Sequence, residues 1–171
     1  MPAIEVLIPA SRIQARIAEL GARISADYEG QTVVLVGVLK GSFMFMADLC
    51  RQITVPVRVD FIGTKSYEGT TTTGQVQLTK DLDRPIEDEH VVIVEDIIDT
   101  GLTLSYLKHL FAQRGPASLK VAAILDKPSR RRVRVEGDYV GFEIEDKFVI
   151  GYGLDYEQRY RNLKDVCVMV G

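Results

Sequence analysis

Apolar residues recur along this chain with two different spacings. Between residues 10 and 28, Ile13, Ile17, Leu20 and Ile24 stand three or four apart, which predicts an amphipathic helix with Ser11 as its N-cap. The run Thr32-Val33-Val34-Leu35-Val36-Gly37-Val38-Leu39 lacks polar alternation and is rich in β-branched residues, as a strand buried on both faces should be. Lys40-Gly41-Ser42 interrupts it, a helix is expected over 43–53, and a partly alternating strand over 55–62. Two further apolar runs, 91–94 and 119–125, flank a helix expected from about 102 to 113 and closed near Gly115-Pro116. Shorter strands are expected over 139–142, 148–152 and 166–170. Buried strands alternating with helices predict an α/β sheet with a parallel core. Such sheets bind ligands beyond the carboxyl ends of their strands, so the polar residues at those ends become the candidates for function.

Residues 64–80 break the pattern. Gly69, Thr70, Thr71, Thr72, Thr73 and Gly74 have almost nothing to bury, and a long mobile loop is expected there. No linker or repeat divides the rest, so the 171 residues are expected to form one domain. A chain of this length buries roughly 70% of its unfolded surface and needs neither disulfides nor metals for stability. Cys50 and Cys167 lie far apart and form no C-x-x-C pair, which fits reduced thiols. The net charge of −3 disfavours nucleic-acid binding by bulk charge. No apolar stretch is long enough to span a membrane, and Met1-Pro2-Ala3-Ile4-Glu5 does not read as a signal peptide, so a cytoplasmic location is expected.

The strongest chemical signal is Val91-Val92-Ile93-Val94-Glu95-Asp96-Ile97-Ile98-Asp99-Thr100-Gly101-Leu102-Thr103. Three carboxylates follow a dry strand and precede a helix. Unpaired buried charge is costly, so they must meet water, a cation or a hydrogen-bonding ligand. Small and hydroxylated residues at the helix start, together with its N–H groups and dipole, suit a phosphate. Acids beside a phosphate pocket suggest Mg²⁺. A plain helix cap at Asp99-Thr100-Gly101 with a solvated Glu95-Asp96 turn is the simpler alternative. Adjacent carboxylates in a fully extended strand would face opposite ways, so the strand is expected to begin turning there.

This segment resembles the phosphoribosyl-pyrophosphate signature of the type I phosphoribosyltransferases, and within them the hypoxanthine-guanine (6-oxopurine) enzymes. The resemblance runs over nearly the whole chain. It includes Leu39-Lys40-Gly41-Ser42, Lys65-Ser66-Tyr67, Leu125-Asp126-Lys127, Val140-Gly141-Phe142-Glu143-Ile144, the run from Asp146 to Tyr156, and Arg161. It implies an α/β fold with a central, mainly parallel sheet flanked by helices, plus a small hood and a flexible active-site loop. The implied activity is purine salvage: transfer of the 5-phosphoribosyl group from phosphoribosyl pyrophosphate to hypoxanthine or guanine, giving IMP or GMP and pyrophosphate. The transition state has oxocarbenium character.

By the same resemblance, Glu95 and Asp96 lie beside the ribose hydroxyls and a Mg²⁺ ion, with Asp155 as a further metal ligand or a neighbour of the base. Asp99 is the general base at purine N7. Thr100, Gly101, Leu102 and Thr103 wrap the 5′-phosphate; some family members carry lysine where this chain has Leu102, which puts one charge on the phosphate in doubt. Lys40 and Gly41 belong to the pyrophosphate loop, in which the peptide before the lysine is often cis, and Arg161 adds a second pyrophosphate contact. Lys127 donates to the 6-oxo group, Phe148 stacks on the base, Val149 offers its backbone, and Ser66-Tyr67 reach the site from a closing loop. A homodimer or homotetramer is implied, with no membrane or nucleic-acid partner.

Two other readings stay open. Lys127-Pro128-Ser129-Arg130-Arg131-Arg132-Val133-Arg134 holds five basic residues, and some relatives of the fold bind RNA; the run reads mainly as a solvated or subunit-contact surface. A Mg²⁺-dependent phosphoacceptor domain would also cluster acids at strand ends, but leaves Lys40-Gly41 and the 146–156 segment unexplained. Asp81-Leu82-Asp83 before Arg84-Pro85 reads as a polar turn, and His90 and His109 flank no nucleophile.

Overall fold

The computed structural model describes residues 3–67 and 75–170. In chain order the elements are β1 Ala3–Ile8, α1 Ala10–Asp27, β2 Val33–Leu39, α2 Phe43–Arg51, β3 Val57–Tyr67, β4 Gln75–Lys80, β5 His90–Ile98, α3 Leu102–Ala112, β6 Ser118–Asp126, β7 Tyr139–Glu143, β8 Val149–Ile150 and β9 Val166–Val170, with a 3₁₀ turn at Pro128–Arg130. Six strands form the main sheet in the order β4-β3-β2-β5-β6-β7. All its pairs are parallel except the antiparallel β3–β4 edge. The remaining strands form a separate antiparallel sheet, β1-β9-β8, which is the expected hood.

The uninterrupted apolar runs follow from burial on both faces. Val33 and Leu35 pack with Ile13, Ile17, Leu20 and Ile24 of α1 and Phe45, Met46 and Leu49 of α2. Their neighbours Val34, Val36 and Val38 turn to the opposite face and pack with Leu104, Leu107 and Phe111 of α3. Each aliphatic side chain buried in these layers contributes about 1.5–3 kcal/mol relative to exposure.

Several local expectations are corrected. Ser11 lies inside α1, whose N-cap is Pro9 with no side-chain cap bond. The first turn is instead served from the far end of the chain, where Asp165 Oδ1 accepts the Ala10 N–H at 2.7 Å. The expected loop at 64–80 is partly a hairpin: β3 runs on to Tyr67 and pairs with β4, Ser66 opposite Val76 and Tyr67 opposite Gln75. Residues 68–74, where the Gly-Thr stretch falls, lie outside the described residues. Strand β5 does not stop at Val94 but continues to Ile98, paired with β6.

The carboxyl ends of β2 and β5 matter most for function. Chain direction across the sheet reverses between them, β2 to β3 running one way and β5 to β6 to β7 the other. Pairing between β2 and β5 ends at Gly37 and Val94. Beyond that point the two strands are no longer joined, and a crevice opens at the topological switch point.

Candidate active site

The crevice is a cleft of about 340 Å³. Val38, Leu39, Lys40 and Gly41 line it from β2, and the chain from Glu95 through Gly101 lines it from β5. Thr103 and Leu104 close its floor from α3, and Thr64, Arg130, Asp155 and Arg161 stand around the mouth. Volume and position suit a small polar ligand.

At the head of the acidic segment, the two-residue alternation of β5 lapses. Val92 and Val94 pack in the layer of α1 and α2, and so does Ile97, an odd number of residues on; Val91 and Ile93 pack in the α3 layer, and so does Ile98. The irregularity falls on Glu95 and Asp96. The strand therefore persists where a turn was expected, but its faces slip there, and the two adjacent carboxyls come close enough to interact. Glu95 is buried, and loss of water, then the neighbouring Asp96 charge, push its carboxyl well above the usual range. Asp96 is also raised, by burial first, against the lowering effects of the Ile97 N–H, the Glu95 side chain and the Arg161 guanidinium. Asp96 Oδ1 accepts that N–H at 2.8 Å. Its other oxygen faces Gly41 so closely that a β-carbon there would lie 1.8 Å away.

The opposite wall is the turn after β2. The Leu39–Lys40 peptide, which the sequence left undecided, is cis, and Lys40 is exposed beside the cleft. Gly41 in turn is covered by Gly153: a β-carbon on Gly153 would meet the Gly41 carbonyl at 2.2 Å, and Gly153 has φ +98°. Arg161 locks this corner by donating to the Gly153 carbonyl at 2.7 Å, with its other nitrogen 3.4 Å from Asp155.

Along the floor, Gly101 caps α3 in the left-handed region at φ +87°, and no side chain caps the helix. A β-carbon at Gly101 would strike Val135, so this turn packs directly against the 131–135 segment. The Leu102 N–H makes a long 3.4 Å contact with Thr100 Oγ1. An uncapped helix N-terminus in a cleft is a ready anion site.

The remaining predicted residues lie beyond the cleft lining. Lys127, at the end of β6, is buried with its ammonium 3.9 Å from Asp146. Phe148 is 56% exposed and stands edge-on to Tyr156 with ring centroids 5.8 Å apart; it is not a core residue. Val149 is buried in β8 opposite Val168. Ser66 and Tyr67 are placed by their backbone alone at the end of β3. Glu95, Asp96 and Asp155 all line the cleft, but among the described residues no three acidic, histidine or cysteine side chains are grouped as a metal cage.

Two polar lining residues were missed from the sequence. Thr64 extends past the expected strand end. Arg130 was absorbed into the basic run, whose reading as mainly a solvated or subunit-contact surface is corrected at Arg131 alone. Arg131 is tied into the fold, with a 2.7 Å bond to the buried Asp126 and bonds to four carbonyls around it, while Arg130 pairs with Asp99 at 3.1 Å. Arg130, Arg132 and Arg134 are exposed, and Arg131 is the one arginine of the four that is half-buried. Asp81 is held by both nitrogens of Arg114, a structural pair rather than a metal site.

A family model described as a phosphoribosyl transferase domain matches residues 9–157. The chain belongs to the phosphoribosyl transferase family. Two of its relatives match almost from end to end. The hypoxanthine phosphoribosyltransferase of Salmonella typhimurium is 55% identical over 170 residues, covering 98% of this chain and 96% of the relative. The hypoxanthine-guanine phosphoribosyltransferase of Bacillus subtilis is 46% identical over 166 residues, 96% of this chain and 92% of its own. Among solved structures, a hypoxanthine-guanine phosphoribosyltransferase from Bacillus anthracis matches with a TM-score of 0.95 at 46% identity, covering 99% of this chain and all of that one. The mainly parallel sheet with its hood is thus that of a phosphoribosyl transferase, and no helix of the described residues is long and apolar enough to cross a membrane.

Proposed function

We propose that this phosphoribosyltransferase joins a 6-oxopurine, hypoxanthine or guanine, to the ribose 5-phosphate of phosphoribosyl pyrophosphate and releases pyrophosphate. The supporting observation is the cleft at the switch point, which sets a cationic turn, an acid pair and an uncapped helix start around one small volume. The 5′-phosphate sits on the N–H groups of Thr100–Thr103, with the α3 dipole supplying attraction that no lysine at Leu102 supplies. Lys40 and Arg161 face the pyrophosphate, and the Gly41 backbone approaches it because nothing larger fits against Asp96.

Glu95 and Asp96 take the ribose side. Two carboxyls forced together in a poorly hydrated place need positive charge and hydroxyl donors, which a ribose and a cation provide. Their hard oxygens suit Mg²⁺, which takes one or two protein carboxylates and completes its shell with substrate phosphates and water. An ion held there by Glu95 and Asp96 would supply positive charge to offset that of the leaving pyrophosphate. Asp155 lies on the same rim, already engaged by Arg161 and by the Gln158 N–H.

As the glycosidic bond forms, the purine loses its N7 proton. Asp99 stands at the cleft edge just before α3 and accepts it. The base itself lies toward Lys127, whose ammonium donates to the 6-oxo group, with Phe148 against its face and the Val149 backbone at its edge. An adenine would set an amino donor against that ammonium.

Asp99→Asn tests the assignment of the proton acceptor. Turnover should fall by about 10²- to 10⁴-fold, the contribution of a positioned base. The KM for phosphoribosyl pyrophosphate should stay within a few-fold. Undiminished turnover in the folded variant would remove Asp99 from this role.

A further inference from the structure

Arg130 contributes nothing to the roles above, yet it lines the cleft and touches the proposed general base. Its Nε lies 3.1 Å from Asp99 Oδ1 and its Nη1 3.6 Å from Asp146. Asp146 is also the partner of Lys127, at 3.9 Å. One chain of charges thus runs from the residue assigned to the purine 6-oxo group, through Asp146 and Arg130, to the residue assigned to N7.

The backbone beneath Arg130 is pinned. The neighbouring Arg131 donates to the Asp99 carbonyl at 3.0 Å, the Ile98 carbonyl at 3.2 Å and the Val135 carbonyl at 2.9 Å, besides its ion pair with Asp126. The 3₁₀ turn carrying Arg130 therefore keeps a set distance from the Asp99 backbone, and the Arg130 side chain meets Asp99 from a defined side. A carboxylate has acceptor sites on both oxygens. With Oδ1 engaged by Arg130, Oδ2 is left for a proton from the ligand.

We propose that Arg130 is a positioning residue for the transfer reaction, fixing the Asp99 carboxylate so that its second oxygen meets the purine N7 proton. This rests on the assignment of Asp99 as the general base. The arrangement follows the general logic of a base oriented by a third group. As an exposed ion pair it adds little to stability, so its effect belongs in turnover.

A double-mutant cycle separates this role from a structural one. Arg130→Gln should lower kcat on the order of tenfold, a part of what a positioned base supplies. The KM values for phosphoribosyl pyrophosphate and hypoxanthine should stay within about twofold, and Arg130→Lys should recover part of the loss. In the Asp99→Asn background, Arg130→Gln should cost nothing more, because a residue acting through Asp99 has nothing left to act on. An unchanged kcat for Arg130→Gln, or the same tenfold loss in both backgrounds, would overturn the proposal while leaving Asp99 in place. If Asp99→Asn itself turned over normally, the assignment of the base would fail first and the positioning role with it.

Discussion

Glu95 sits where a carboxyl is least comfortable, buried beside a second acid. Burial raises its folded pKa above the unfolded value, so the folded state holds the proton more tightly. That stabilising proton is fully present below the unfolded pKa and is lost as pH rises through the folded one. At neutral pH the ligand-free fold therefore carries a cost that function requires. Glu95→Gln should raise the thermal midpoint at pH 7 by about 2–4 °C, the shift that ~1 kcal/mol gives in a domain of this size. The gain should shrink as pH falls toward the ordinary carboxyl range, and a lower midpoint at pH 7 in a thermal melt would contradict the account. Lys127 is buried at the end of β6, with Asp146 its ion-pair partner among the described residues at 3.9 Å. Lys127→Ala should narrow the preference for hypoxanthine over adenine by at least about 10²-fold in kcat/KM, since the polar mismatch that rejects adenine is gone. At this scale the sequence was most informative where charge interrupts an apolar run, as at Glu95 and Lys127. Arg130 stayed hidden because one arginine among four carries no mark of which one borders the cleft.

At the scale of elements, the turn after β2 depends on a contact that only glycine allows. A β-carbon at Gly41 would meet the end of the Asp96 side chain rather than backbone, so Gly41→Ala should fold and push the carboxylate aside. The expected outcome in steady-state kinetics is a rise of about tenfold in KM for phosphoribosyl pyrophosphate. Helix α1 depends on Asp165, which supplies the cap that its own first turn lacks. Asp165→Ala should cost about 1 kcal/mol, within the usual range for a lost cap, with kcat unchanged. Periodicity revealed α1, β2, β5, α3 and β6 because each is buried on a full face or two. It missed β1, whose Ala3, Ile4, Glu5 and Val6 are all exposed, and β4, where Gln75-Val76-Gln77-Leu78-Thr79-Lys80 reads as a polar edge. Their strand character comes from pairing with β9 and β3, a long-range fact that no local pattern carries.

For the whole molecule, alternating helices and apolar strands announced the parallel sheet, but strand order depends on which edges meet, and that was unreadable. The order is what makes the site: with β2 and β5 adjacent and their pairing ended at Gly37 and Val94, two loops far apart in sequence share one cleft. The turn after β2 and the acid-bearing segment after β5 were each recognisable alone, while their meeting came from the family resemblance and from no local pattern. The central claim is that this cleft transfers a phosphoribosyl group to a 6-oxopurine. Initial rates with phosphoribosyl pyrophosphate and Mg²⁺, measured with hypoxanthine, guanine, xanthine and adenine in turn, test it most directly. Turnover of hypoxanthine or guanine with adenine inert is the predicted result; equal use of adenine, or no turnover of any base by protein that binds phosphoribosyl pyrophosphate, would contradict it.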